Sequence, residues 1–229
     1  MEVLAQELMS KVSSVVLTDD EICAISYAVK RPWPTPLATV DLGRYEALIA
    51  AVARGSRSLI ARGILAADGG SEALVLATEP LRRSAVVTLG DVSADLAPVS
   101  DGVRVVVFER STPECATWAI LPGGLHSFAP GERADVIAEI AGLLAARAST
   151  AAADPDASAP ELLITGHSSS SGSVGLVAGR VCRRLTDWDA TTGQFGKAEP
   201  LPSTLVTDRT WWQEAVAVLW PGEESSGRL

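Results

Sequence analysis

Three apolar, β-branched runs stand close together in the middle of the chain: Ala85-Val86-Val87-Thr88-Leu89, Val103-Arg104-Val105-Val106-Val107-Phe108 and Thr117-Trp118-Ala119-Ile120-Leu121. Each is bounded by Gly, Pro or Asp and is of strand length, so the three read as an antiparallel meander. The connection between the first two, Gly90 to Gly102, is long for a hairpin. It carries Asp91, Asp95 and Asp101 among Val92, Leu96 and Val99. Long loops of compact domains are frequently binding loops, which makes these six residues the candidate contact set for another protein.

Upstream of the meander the pattern turns helical. Val3, Leu4, Leu8 and Val12 fall near helical spacing ahead of the β-branched run Ser14-Val15-Val16-Leu17, which predicts a short helix and then a strand. Thr18-Asp19-Asp20-Glu21 has the capping-box spacing and opens a helix over about Asp20 to Val29 that must stop before Pro32. Pro32, Pro34 and Pro36 alternate around Trp33 and Thr35, giving an extended connector pinned by a packed Trp33. Asp41 is placed to cap a helix with Leu42, Tyr45, Ile49 and Val52 on its inner face. Gly55 is expected to interrupt that helix, Ser56 to restart a short one, and Gly63 to cap it. Asp68-Gly69-Gly70 then reads as a turn, and Ser71 to Ala77 as another short helix.

Downstream, Glu132 to Arg147 places Val136, Ile137, Ile140, Leu143 and Leu144 on one face of an amphipathic helix. Ala148 to Pro160 is rich in Ala, Ser, Asp and Pro without periodicity and reads as a flexible linker. It divides an N-terminal half, about 1–147, from a C-terminal half, 161–221, followed by a disordered tail, 222–229. The second half gives strands over Glu161–Thr165, Val174–Arg184 and Leu185–Asp189, a turn at Thr192-Gly193, and a last helix from Asp208 to Pro221. In that helix Trp212, Ala215, Val216 and Leu219 form one stripe. Strand, loop, strands and helix on both sides of a linker suggest a pseudo-two-fold arrangement of two halves within one α+β domain.

Bulk properties narrow the function. With 229 residues, 47% hydrophobic and 21% charged, the chain has the profile of a self-folding globular protein. A net charge of -9 disfavours nucleic acid as a partner. The acidic start Met1-Glu2-Val3-Leu4-Ala5-Gln6-Glu7-Leu8 is unlike a signal peptide, and Val136 to Ala146, broken by Glu139, is too short to cross a bilayer. A cytoplasmic location is expected. Cys23, Cys115 and Cys182 form neither a metal motif nor a disulfide framework, so buried reduced thiols are expected.

The strings that could carry chemistry are incomplete. Gly166-His167-Ser168-Ser169-Ser170 approaches a nucleophile elbow, but its fifth residue is Ser and no histidine follows Ser168 to act as base. The same Ser/Gly loop lacks the spacing of a phosphate cradle. Asp187 and Asp189, two apart on a strand, are expected to share a solvated face. These readings predict no catalytic residues, no cofactor and no metal.

The order of pieces resembles the EspG family, cytosolic chaperones of type VII (ESX) secretion in actinobacteria. The resemblance is carried by Ser14-Val15-Val16-Leu17-Thr18 with its helix, by Ser58-Leu59-Ile60-Ala61-Arg62-Gly63-Ile64-Leu65, by the strands from Ser84 to Leu121, and by Leu185-Thr186-Asp187-Trp188-Asp189-Ala190-Thr191-Thr192-Gly193-Gln194-Phe195. It implies a central antiparallel sheet flanked by two helical groups. The implied partner is a helical secreted heterodimer, PE–PPE-like or a WXG-type pair, and the Gly90–Gly102 loop would take the place of the family's long client-contacting loop. A second class of function is a winged-helix DNA-binding regulator, with Arg54, Arg57 and Arg62 facing outward.

Overall fold

The computed structural model describes residues 14–220 apart from 36, 67–68, 84, 94, 97–98, 100–103, 112–113, 154–159, 169–171, 193, 203 and 205–207. The strands are β1 (Val15–Thr18), β2 (Leu65–Ala66), β3 (Gly69–Gly70), β4 (Ala85–Val92), β5 (Arg104–Ser111), β6 (Glu114–Leu121), β7 (Leu125–Glu132), β8 (Glu161–Ser168), β9 (Gly172–Ala178), β10 (Arg183–Asp189) and β11 (Gln194–Pro200). The helices are α1 (Asp19–Val29), α2 (Tyr45–Ala61), α3 (Glu72–Arg82), α4 (Arg133–Ala153) and α5 (Arg209–Val218). The fold is α+β, with an antiparallel sheet of nine strands in the order β1-β7-β6-β5-β4-β8-β9-β10-β11 and a separate β2–β3 ribbon. The expected meander is its β4-β5-β6 part, continued by β7.

The chain forms two compact units, one of residues 1–85 and 107–131, the other of 86–106 and 132–229. They interleave along the sequence, which corrects the division at a single linker. Ala148–Ala153, assigned to that linker, is the last part of α4, and Ala148 is fully buried. Alanine is the strongest helix former, so low complexity here marks helix rather than coil. Residues 154–159 of the linker, the segment expected to form the N-terminal helix, Asp101 and the tail lie outside the described residues.

In the first unit, Thr18 and Glu21 form the capping box that opens α1, with Thr18 N–H donating to Glu21 Oε2 at 2.9 Å and Glu21 N–H to Thr18 Oγ1 at 3.3 Å. Helix α2 is continuous through Gly55, where a break was expected. A Cβ at that position would stand 1.9 Å from the Asp20 carbonyl oxygen, so this glycine is where α1 and α2 cross at backbone contact. Leu42 and Tyr45, placed on the inner face by the sequence, are exposed, because the face packed on α1 is that of Ala51, Gly55 and Leu59. Trp33 packs edge-on against Trp118 with centroids 5.0 Å apart, pinning the proline connector as expected. Leu17, Ile22 and Leu59 are fully buried, and each such side chain contributes about 1.5–3 kcal/mol.

The second unit is built around α4. Its 21 residues make it long and apolar enough to span a membrane by length and composition, contrary to the expectation of a shorter segment. It nevertheless presents a packed face of Val136, Ile140, Ala141, Leu144 and Ala148. Helix α5 lies on α4 at Gly142, where a Cβ would stand 3.4 Å from the Arg209 guanidinium. Asp208 caps α5 by accepting from Thr210 N–H and Trp211 N–H. Trp212, Val216 and Leu219 are buried as the stripe predicted. The run Val174–Arg184, read as one strand, is two, broken at Gly179–Cys182, and β11 had no counterpart in the sequence reading.

Candidate functional site

The six loop residues divide by environment. Gly90, Asp91 and Val92 are the end of β4, paired with Leu163, Leu162 and Glu161 of β8, and Asp91 and Val92 are buried. This corrects their assignment to an exposed contact loop: the strand continues through Gly90 because β8 supplies its ladder partners. Asp95 is exposed, while Leu96 and Val99 are half-buried. Asp101 lies outside the described residues.

Asp91 serves instead as the anchor of the loop. Its Oδ1 accepts from Arg147 Nη2 of α4 at 3.1 Å, with Arg147 11% and Asp91 4% exposed, and Arg147 Nη1 also donates to the Pro160 carbonyl ahead of β8. One guanidinium thereby ties α4, the end of β4 and the start of β8. The loop then closes on this base: Val99 N–H donates to the Asp91 carbonyl at 3.0 Å and Leu96 N–H to the Ser93 carbonyl at 2.9 Å. Ser93 Oγ bonds the Asp95 carboxylate across the turn. Leu96 is held at φ 65, a left-handed conformation that costs a branched side chain about 1–2 kcal/mol. A turn that tolerates this in Leu rather than Gly has its conformation set by the surrounding bonds.

The acids with the most elaborate surroundings are elsewhere, at the N-terminus of α1, where the first-turn position itself favours negative charge. Asp19, 1% exposed, accepts from His126 Nε2 at 2.7 Å and from Thr39 N–H and Oγ1 at 2.6 and 2.8 Å. Trp118 Nε1 donates to His126 Nδ1 at 3.0 Å, so with Nδ1 accepting, the ring proton sits on Nε2 and points at Asp19. Burial pushes the Asp19 carboxyl up, but hydrogen bonds from His126 and Thr39 outweigh it and hold the group below the usual carboxylate range. Glu21 is fully buried and accepts from Ser58 Oγ at 2.7 Å and from Arg62 Nη1 at 2.8 Å. These carboxylates have no solvent-facing side on which a substrate could meet them, and they fasten α1 to α2, β7 and the proline connector. Sequence reasoning missed the Asp19–His126 pair because its members are 107 residues apart.

The incomplete motifs resolve structurally. Strand β8 runs through His167 and Ser168, which pair with Ser173 and Gly172 of the antiparallel strand β9, whereas a nucleophile elbow turns from strand into helix. Gly166 is a packing position, since a Cβ there would meet the Leu219 carbonyl at 2.7 Å. Asp187 has φ 59 in mid-strand, and Asp189 Oδ1 caps a turn by accepting from Thr191 N–H at 2.8 Å, which together with Thr192 lowers its pKa. The two acids therefore do different jobs. The Cys23 thiol is pushed up to about 11 by burial and by the neighbouring Asp19 and Asp20. No group of three or more metal-ligating side chains forms among the described residues.

Of the three arginines read as DNA-facing, two are committed to carboxylates. Arg54 makes a two-pronged pair with Asp20 at 2.7 and 2.8 Å, and Arg62 binds Glu21. Trp188, 42% exposed and 4.9 Å from Phe195 between ring centroids, is an aromatic pair on the β10–β11 hairpin that the sequence reading passed over. Its signal was an aromatic residue between two acids. No family model matches the chain, and no curated protein matches it either.

Proposed function

We propose that this protein is a non-enzymatic chaperone of the cytoplasm that binds a helical secreted protein heterodimer, PE–PPE-like or WXG-type, and that the tip of the β4–β5 connection contacts the client. The observation that carries the reading is the Ser93–Val99 turn. An exposed Asp95 and the half-buried Leu96 and Val99 project from a base locked by the Asp91–Arg147 pair, with Leu96 held in a left-handed conformation. A pre-ordered turn presenting apolar side chains beside an exposed acid loses little entropy on docking against a pair of helices. Asp95 sets orientation and association rate more than affinity. The antiparallel sheet is the architecture that the resemblance to EspG proteins implies, which supports the same reading.

Of the three contacts proposed for the alternative winged-helix regulator, Arg54 and Arg62 are paired with Asp20 and Glu21, and Arg57 has no carboxylate pair among the described residues. A basic stripe is what such a protein needs to bind phosphates. Co-expression with a PE–PPE or WXG-type helical heterodimer tests the proposal. A tagged chain should retain the pair through purification and should not be retained on DNA at moderate salt. Loss of the pair together with salt-dependent DNA retention would favour the regulator.

A further inference from the structure

Strand β11 ends the nine-stranded sheet, and among the described residues no strand pairs with its outer side. The phase of its backbone is set by β10. Leu201 N–H donates to the Cys182 carbonyl at 2.8 Å, in the register that sets Glu199 against Arg184 and Lys197 against Thr186. Antiparallel neighbours alternate between bonded and non-bonded pairs, so the N–H and C=O groups of Lys197 and Glu199 face β10, while those of Gly196 and Ala198 and the Pro200 carbonyl face outward. Pro200, which has no N–H to give, stands where β10 takes none. Residues 196–200 are all exposed.

Lysine and proline commonly blunt a free edge against pairing with other chains. Here they leave one arrangement open. A second copy laid antiparallel, with the two-fold axis at Ala198, sets each Lys197 directly opposite the partner's Glu199. That is a non-bonded pair, the kind in which facing side chains stand closest. Ala198 N–H then donates to the carbonyl of the partner's Ala198, and Gly196 N–H to the carbonyl of the partner's Pro200. Moving the axis by one residue brings Lys197 onto the partner's Lys197 or Glu199 onto the partner's Glu199, and like charges directly opposite are destabilising. Within one copy Lys197 Nζ already stands 2.6 Å from Glu199 Oε1, with both side chains more than half exposed, so the two copies meet as an alternating set of charges.

We propose that β11 is a self-recognition edge, through which two copies of the chain pair antiparallel over residues 196–200 in the register that matches Lys197 with the partner's Glu199. The paired segment is short, which places the dimer in the weak, concentration-dependent class. This goes beyond the chaperone reading and does not depend on it.

Sedimentation velocity on the full chain across a concentration series tests the pairing. The native protein should shift from monomer towards dimer as concentration rises. Lys197→Glu and Glu199→Lys each place like charges opposite one another and should each weaken self-association by on the order of tenfold or more. An equimolar mixture of the two single variants should associate, because every facing pair between them is then opposite in charge. The double exchange Lys197→Glu/Glu199→Lys should restore the homodimer. Ala198→Pro removes an N–H that β10 does not use, and it should abolish the dimer with circular dichroism unchanged. A native chain that stays monomeric to its highest soluble concentration would overturn the proposal, as would a dimer that neither the single reversals nor Ala198→Pro weakens. Failure of both the mixture and the double exchange to recover association would overturn the register.

Discussion

Removing the Arg147 side chain is expected to do more damage than its position near the end of a helix suggests. Arg147→Met keeps the aliphatic stem but leaves the Asp91 carboxylate, 4% exposed, without its guanidinium, and leaves the Pro160 carbonyl without that donor. Breaking a buried ion pair by deleting one partner costs about 3–5 kcal/mol, because the remaining charge is neither solvated nor compensated. Asp91→Leu alone should also destabilise, because it removes the carboxylate facing the mostly buried Arg147 guanidinium. The double variant Asp91→Leu/Arg147→Met removes both charges and replaces them with apolar groups, so it should be far less unstable than the sum. A coupling of about 2–3 kcal/mol is expected from the cycle. Urea unfolding followed by circular dichroism on all four proteins, with equal slopes, measures it. Additivity within about 0.5 kcal/mol would refute the argument that this pair locks the base of the loop.

Gly55→Ala should destabilise the first unit by about 1–3 kcal/mol despite the better helix propensity of alanine, because its Cβ would press on the Asp20 backbone; a raised melting temperature would show that the crossing is looser. Hydrogen bonds from His126 and Thr39 hold the folded Asp19 carboxyl below its ordinary value of 3.8, so the stability it contributes is present above that pH and is lost as pH falls through the lower folded value; acid titration of Asp19→Asn should show a flatter loss of stability there. Cys23, 2% exposed and pushed up to about 11, should resist iodoacetamide at pH 7.5 in the native protein and react after unfolding, as read by mass spectrometry.

Much of the fold was legible because its signals are local. The capping box at Thr18 and Glu21, the β-branched runs of the meander and the Trp212–Leu219 stripe are each visible within a short window. The misses arise where tertiary contact overrides a local rule. Gly55 looks like a breaker until the α1 backbone is seen against it, and Ala148–Ala153 looks like a linker until Ala148 is seen to be buried. Strand β7, Leu125–Glu132, contains Pro130 and Gly131, and β11 is polar and exposed, so neither carries an apolar alternation. A long connection between the first two meander strands was legible as a stretch of chain. Which of its acids turns inward was not, because that depends on Arg147, 56 residues away from Asp91.

The most direct test of the chaperone reading is calorimetric titration of the purified chain with a purified PE–PPE or WXG-type helical heterodimer, comparing the native protein with Leu96→Ala, Val99→Ala and a variant in which residues 93–99 become Gly and Ser. The account predicts a stoichiometric complex, a loss of about 1–2 kcal/mol of binding for each single truncation, and no complex with the replaced loop at an unchanged melting temperature. Full-strength binding by the replaced-loop variant would contradict it.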